Sequence, residues 1–419
     1  MKLKQIIATV VIWLMFSVVA SANLQQQIDD AQPGDVITVT GEHTGNFVIT
    51  KPLTLIGSGA TLHAEGMKPA LTIEQTNDVI VDGITFTAQQ RAVALKDVHD
   101  VVIKNTTATG MLIGIQLYRS TNVELANNTI EGTDAHYAKK GNGLALFQSE
   151  NLLVHNNVIA KVQDGIYIEE VKGIEVRDNT VTHSRYGTHF MYSDKGVVKN
   201  NTYQHNVTGL MVMMVDGFIA EGNHSRYHND MNGSGILFYD VKNARLVNNH
   251  ISENRLGLVL QKCETVRIEE NNFAVNQTAI EATRVDDISL IMNNHFMGNI
   301  LTARSDNLGV ALYANYYDDY TGIDADDDGY GDTPYTAYSS FGQWMVRQPA
   351  YQYFVASPSV ELLTTLDNQT AVAQDVLVDP KPKQLATTLS VAKADYKQAM
   401  LGGLLFLGVV LVWRRSVQS

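Results

Sequence analysis

Two successive rows of the chain decide its fold: NNVIAKVQDGIYIEEVKGIEVR, residues 156–177, and DNTVTHSRYGTHFMYSDKGVVK, residues 178–199. Laid one over the other, both carry Asn in the second place, Gly in the tenth and apolar residues at alternate places. Taking the first place as anchor, the same unit recurs at Gly83, Asn105, Asn127, Asn156, Asp178, Asn200, Gly222, Asn248, Glu270, Asn293 and Ala314. Six of the ten intervals are 22 residues, so the chain is read as one repeating unit and not as a string of separate domains.

The residue after the anchor is Asn from Asn128 to Asn315, which predicts a ladder of amides bonded from layer to layer in parallel, in-register strands. Nine residues past the anchor stand Gly114, Gly165, Gly187, Gly209 and Gly257, with Gly143 and Gly235 displaced. Glycine there is read as a corner with an unusual backbone angle. Period-two alternation, as in Val123/Leu125, Ile174/Val176, Ile166/Ile168 and Leu258/Leu260, marks inward positions of strands. The reading is a right-handed parallel β-helix of about eleven coils, some 50 Å long at roughly 4.8 Å per coil. Such a rod needs caps. Leu24 to Ala31, stopped by Pro33-Gly34, is read as an N-terminal cap helix, and 335–366 as a C-terminal cap ending in a helix.

The ends are read separately. Residues 1–22 carry Lys2 and Lys4, an apolar run and Ala20-Ser21-Ala22, the pattern of a cleaved signal peptide. The mature body, 23–334, is then the capped solenoid, with 367–395 a linker. Ala399 to Trp413 is apolar and precedes Arg414-Arg415, so 396–419 is read as a membrane anchor with a short cytoplasmic tail, leaving the body in the periplasm. The single cysteine, Cys263, has no partner and is expected to be buried. A net charge of -13 argues against nucleic acid as a partner.

Strand alternation also says which side chains face outward. In the middle of one face His189 stands in register with Met211, and Met191 with Met213, each pair 22 residues apart. Imidazole with thioethers suits a soft ion, above all Cu(I). The same stripe also reads as a partner-binding surface or as a face covered by a loop. Phe147, Tyr167, Leu237 and Tyr239 extend it. Two insertions bracket it, one with His136 and Tyr137, the other with Tyr227, His228 and Met231, and His183 and His205 stack at the same corner.

Asp324, Asp326, Asp328 and Asp332, with Gly329, match the start of a calcium loop, although Tyr335 stands where an EF-hand has its bidentate Glu. A structural calcium ion closing the last coil is therefore expected. For catalysis the cluster to weigh is Asp164, Glu169, Arg185 and His189, the carboxylate, His and Arg chemistry of a polysaccharide-active β-helix enzyme. No Asp-Pro-His-Glu epimerase motif occurs, and with no P-loop any ATP-derived energy comes from another subunit.

Gly141-Asn-Gly-Leu144, Asp164-Gly-Ile-Tyr167, Arg185-Tyr-Gly-Thr-His-Phe-Met-Tyr-Ser193, Asn315-Tyr-Tyr-Asp-Asp-Tyr320, Ser357-Pro358 with Leu362-Leu363, and Asp379-Pro-Lys-Pro382 together resemble the NosD family of periplasmic nitrous-oxide reductase maturation proteins. The resemblance implies a non-enzymatic β-helix accessory protein that works with the membrane and ATPase subunits of an ABC transporter and with a copper chaperone. Its end is the copper-sulfide centre of nitrous-oxide reductase. It supplies a reason for the His/Met stripe but no ligand set. A member of the family is expected to end near the Asp-Pro motif, whereas this chain continues into the apolar tail.

Overall fold

The structure, a computed structural model, describes residues 23–306, 309–337, 341, 344, 348–355, 357–370 and 377–384. The signal peptide and the 396–419 anchor lie outside the described residues. Strands of three and six residues wind into a parallel β-solenoid of about thirteen turns. Their walls form one sheet of 23 strands and one of twelve, and every strand pair along the rod is parallel. Two more coils than expected come from the N-terminal side, where Val36–Thr44 and Leu53–His63 pair in sequence onto Asn77–Thr87. Their corners hold Gly41 and Gly59 and no Asn pair, so the Asn count could not see them.

The interior follows the alternation. Val154, Val176, Val198, Leu246 and Ile268 form one buried row and Ile166, Phe190, Leu210, Ile236 and Leu258 belong to another wall, all 0% exposed. The amide ladder is continuous: Asn128, Asn157, Asn179, Asn201, Asn223, Asn249, Asn271 and Asn294 each donate Nδ2 to the next Oδ1 at 2.9–3.0 Å. Each Oδ1 also accepts the backbone N–H of the rung before it, as Asn201 Oδ1 does from Asn179 N at 2.9 Å. Each of these ladder amides is thus bonded within the protein, which is the condition for placing Asn inside a hydrophobic rod.

The glycine column has a different cause from the one expected. The anchors are left-handed, for instance Asn127 (φ 55°), Asp178 (φ 56°) and Asn200 (φ 53°). Asn and Asp tolerate that region because their short side chains bond locally. Gly165 and Gly187 are not left-handed; they are glycine because adjacent coils nearly touch there. A Cβ on Gly187 would lie 2.3 Å from Gly209 O and 2.4 Å from Tyr203 Cδ1.

Both ends of the rod are covered. The helix Leu24–Asp30, N-capped by Asn23, buries Leu24 and Ile28 in the core. At the other end Tyr335–Thr336 pairs antiparallel with Val378–Asp379, and the Tyr335 ring stacks 3.7 Å from that of Tyr317. Asp379, within the stretch read as linker, is fully buried and terminates the Asn ladder. Its carboxylate accepts from Ala314 N (3.0 Å), Asn315 N (2.9 Å), Asn315 Nδ2 (3.0 Å) and Tyr317 OH (3.1 Å). The helix Pro358–Thr370 follows a short 3-10 segment, Pro349–Phe354. Val360 and Phe341 pack with Leu301 and Val355. Among the described residues no helix is long and apolar enough to cross a membrane. Cys263 is buried as expected, its Sγ 3.5 Å from Gln261 O.

Candidate functional site

The outer face of the twelve-stranded sheet carries the stripe. Parallel pairing puts Tyr167, His189, Met211 and Leu237 in one row, and Glu169, Met191, Met213 and Tyr239 in the next. Because strand residues alternate, these side chains stand away from the core. His189 is nevertheless only 5% exposed and Met211 8%. Aromatic neighbours account for that burial. The rings of Tyr167 and Tyr186 meet the His189 imidazole edge to face at 5.1 and 4.9 Å, and Phe147 lies 5.6 Å beyond Tyr167.

The polar frame of His189 is specific. Its Nδ1 lies 2.9 Å from Asp164 Oδ2. Asp164 also takes a bidentate pair from Arg185, Nε at 2.8 Å and Nη2 at 2.7 Å, and its side chain is 1% exposed. Burial alone would raise the Asp164 pKa, but the bonds from His189 and Arg185 outweigh it and hold the carboxyl below its usual range. An ionised Asp164 accepts, so Nδ1 carries a proton, and in the neutral ring Nε2 then holds the lone pair. Nε2 is buried with no hydrogen-bond partner. Tyr167 OH donates to Glu169 Oε2 at 2.8 Å and sits 3.4 Å from Met191 Sδ. Burial, then Glu169, pushes the Tyr167 pKa above that of a free phenol.

Of the cluster Asp164, Glu169, Arg185 and His189 weighed for catalysis, Asp164 and Arg185 are bonded around the imidazole, and Glu169 is joined through Tyr167 OH, which also meets the Met191 thioether. A general base would need a free carboxylate near its proton. Asp164 has both oxygens engaged by Arg185 and His189. His189 belongs to both sets, and the register carries the link further, Tyr167 with His189 and Glu169 with Met191.

The bracketing insertions divide. His136 and Met231 are exposed, Met231 at 88%. Phe147, Leu237 and Tyr239 are half-buried on the same face as the stripe. His228 does not present itself to a partner, contrary to expectation. It is 0% exposed and occupies a rung of a second ladder, Ser184, Asn206, His228, Asn254, Asn276 and Asn299. Its Nδ1 lies 2.8 Å from Asn206 O and 3.1 Å from Asn206 N, and its Nε2 lies 3.1 Å from Ser225 Oγ. An imidazole with the reach of an Asn amide explains the substitution. His183 and His205 do stack, at 5.3 Å, and Tyr227 continues the stack at 5.0 Å.

In the acidic loop the carboxylates of Asp324, Asp326 and Asp328 lie within 4.8 Å of one another. Asp332 is not in that group; its Oδ2 accepts from Ala325 N at 2.7 Å. Lys381 Nζ approaches Asp328 Oδ2 at 3.3 Å, and Gly331 N donates to Pro382 O at 2.8 Å, so the loop also seats the Asp379–Pro382 segment.

Comparison with known proteins places these features. Residues 129–324 match the family described as periplasmic copper-binding protein (NosD), and 61–163 match the right-handed β-helix region. A Pseudomonas aeruginosa protein named "Probable ABC transporter binding protein NosD" is 28% identical over 77% of this chain and 81% of its own length. Its Stutzerimonas stutzeri counterpart is 27% identical over 77% and 80%. Among solved structures, a PL6 alginate lyase in complex with a trisaccharide superposes with a TM-score of 0.55, at 14% identity over 72% of this chain and 83% of that one. The A-module of an Azotobacter vinelandii mannuronan C-5 epimerase gives 0.50, at 14% identity over 70% and 87%. At that identity the likeness is one of fold.

Proposed function

We propose that this chain, similar to NosD proteins over residues 129–324 and to the two curated relatives, is a periplasmic accessory protein of an ABC transporter that receives or presents Cu(I) for the copper-sulfide centre of nitrous-oxide reductase. The observation that carries this reading is the buried, unpartnered Nε2 of His189, its other nitrogen fixed by Asp164, in register with the Met211 thioether and beside the Met191 and Met213 pair. A buried nitrogen lone pair without a donor costs free energy. A soft monovalent ion shared with thioethers satisfies it. Copper is here the cargo: His189, Met191, Met211 and Met213 hold it, while Phe147, Tyr167, Leu237, Tyr239, His136 and Met231 meet the chaperone or reductase. The tail 396–419 tethers the rod to the inner membrane beside the transporter subunits.

Titration of the purified protein with Cu(I) against a competing chelator tests this. Binding that weakens at least about tenfold in Met191→Leu/Met213→Leu and in His189→Gln is expected, since each removes a ligand. Equal Cu(I) retention by all three proteins would overturn it. Cleavage of an acidic polysaccharide, lost in Glu169→Gln, would favour the enzyme reading instead.

We further propose that Asp324, Asp326 and Asp328 hold a structural calcium ion, supported by the mutual approach of their carboxylates. Asp332 is left out of that set because its carboxylate already accepts from Ala325 N.

A further inference from the structure

The copper reading says which atoms bind; the cluster around them bears on why this site would take a monovalent ion. We propose that Asp164 and Arg185 are positioning and specificity-determining residues. They lock the proton of His189 on Nδ1, so that Nε2 is the donor, and they leave the cluster with the charge that one Cu(I) neutralises. This rests on the copper reading above and adds residues that bind no metal themselves.

Three observations carry it. The first is the bond set. Asp164 accepts the two parallel bonds of Arg185 and the His189 Nδ1 proton, a fork that fixes carboxylate and imidazole planes together. A histidine whose second nitrogen is tied to a carboxylate is the usual arrangement behind a metal-ligating imidazole. The second is confinement. The Asp164 side chain is 1% exposed, His189 is held between two tyrosine rings at 4.9 and 5.1 Å, and Arg185 Cζ lies 4.4 Å over the Tyr186 ring. The imidazole is therefore held from several sides.

The third is charge. The charged groups bonded into this cluster are Asp164, Arg185 and Glu169, the last through Tyr167 OH at 2.8 Å. Arg185 cancels Asp164, so one carboxylate charge, that of Glu169, is left over. Imidazole and thioethers add none. One Cu(I) brings the cluster to neutrality. A divalent ion leaves a surplus positive charge in a partly buried site, where the self-energy of an ion rises with its charge. Thioethers also offer a divalent ion such as Zn(II) weaker bonds than thiolate or carboxylate would.

The test uses the full chain with histidine 15N labelling, the His189 signals being assigned by their loss in His189→Gln. In the metal-free wild type, His189 is expected as the Nδ1–H tautomer. Asp164→Leu/Arg185→Leu replaces the ion pair by apolar side chains, an exchange folds often tolerate. It is expected to release the tautomer and to weaken Cu(I) binding by about 10–100-fold. Asp164→Asn/Arg185→Gln keeps an acceptor for the Nδ1 proton and is expected to retain the tautomer and, within a few-fold, the affinity. Arg185→Gln alone leaves a second surplus carboxylate and should lower the ratio of Cu(I) to Zn(II) affinity at least about tenfold.

An unmoved tautomer with unchanged Cu(I) affinity in the Leu/Leu protein would refute the positioning. An unchanged affinity ratio in Arg185→Gln would refute the charge match. Absence of Cu(I) binding by the wild type would refute the copper reading itself, an outcome distinct from both.

Discussion

His228→Asn is a perturbation whose sign and size follow from one buried ring. His228 fills a rung whose neighbours Asn206, Asn254 and Asn276 are amides, and burial pushes its pKa down to about 4. In the unfolded chain the same ring titrates near 6.5, so between about pH 6.5 and 4 the unfolded state binds the extra proton. Stability from this residue is complete above about pH 6.5 and drains away as pH falls. At pH 5 the loss is about 2 kcal/mol relative to pH 7.5, from the gap between the two values. His228→Asn restores the amide rung and does not titrate. Denaturant unfolding of wild type and variant at pH 7.5 and 5.0 measures the effect as a difference of differences, in which His250 and His295, also lowered by burial, cancel. The variant should lose about 2 kcal/mol less than wild type between the two pH values. An identical pH dependence in both proteins would show that His228 is solvated, and would refute the second ladder as drawn.

Asp379→Ala removes the acceptor of Ala314 N, Asn315 N and Asn315 Nδ2, so hydrogen exchange should accelerate selectively over 311–317; protection unchanged there would contradict the capping role. Gly187→Ala places a methyl 2.3 Å from Gly209 O and should cost roughly 1–3 kcal/mol as overpacking, whereas a neutral effect would mean the coils are not in contact at that corner. Calcium should raise the Tm of the wild type, EDTA should reverse the rise, and Asp326→Ala should abolish both responses; a Tm indifferent to all three counts against the ion.

The periodic part of the molecule was legible because every coil repeats the same physical problem. The Asn ladder, the inward rows and the register of His189 with Met211 follow from spacing alone. Reading failed where a residue solved a problem local to one coil. The N-terminal coils turn at Gly41 and Gly59 and so lack the Asn signature. His228 looked like a loop histidine because the insertion hides its rung, which only the contact with Asn206 reveals. Asp379 stands 64 residues from its ladder partner Asn315, a separation no repeat can encode. The glycine column was located correctly and explained wrongly, since contact between coils cannot be told from backbone angle by residue type. At the site itself, His189 and the methionines were found by register, and Asp164, Glu169 and Arg185 were grouped with His189 as a cluster to weigh for catalysis, but the bonds that join them were not legible. Asp164 bonds His189 across a coil boundary, a contact between coils that spacing suggests but does not specify.

The atoms that surround copper in the loaded protein decide most directly whether this face carries it. X-ray absorption at the copper edge of the Cu(I)-loaded chain should show one nitrogen and two or three sulfur neighbours per ion, with the nitrogen lost in His189→Gln and a sulfur lost in Met211→Leu. A shell of nitrogen and oxygen only, or one unchanged by both substitutions, would place the copper elsewhere and contradict the assignment of this face as the site that carries it.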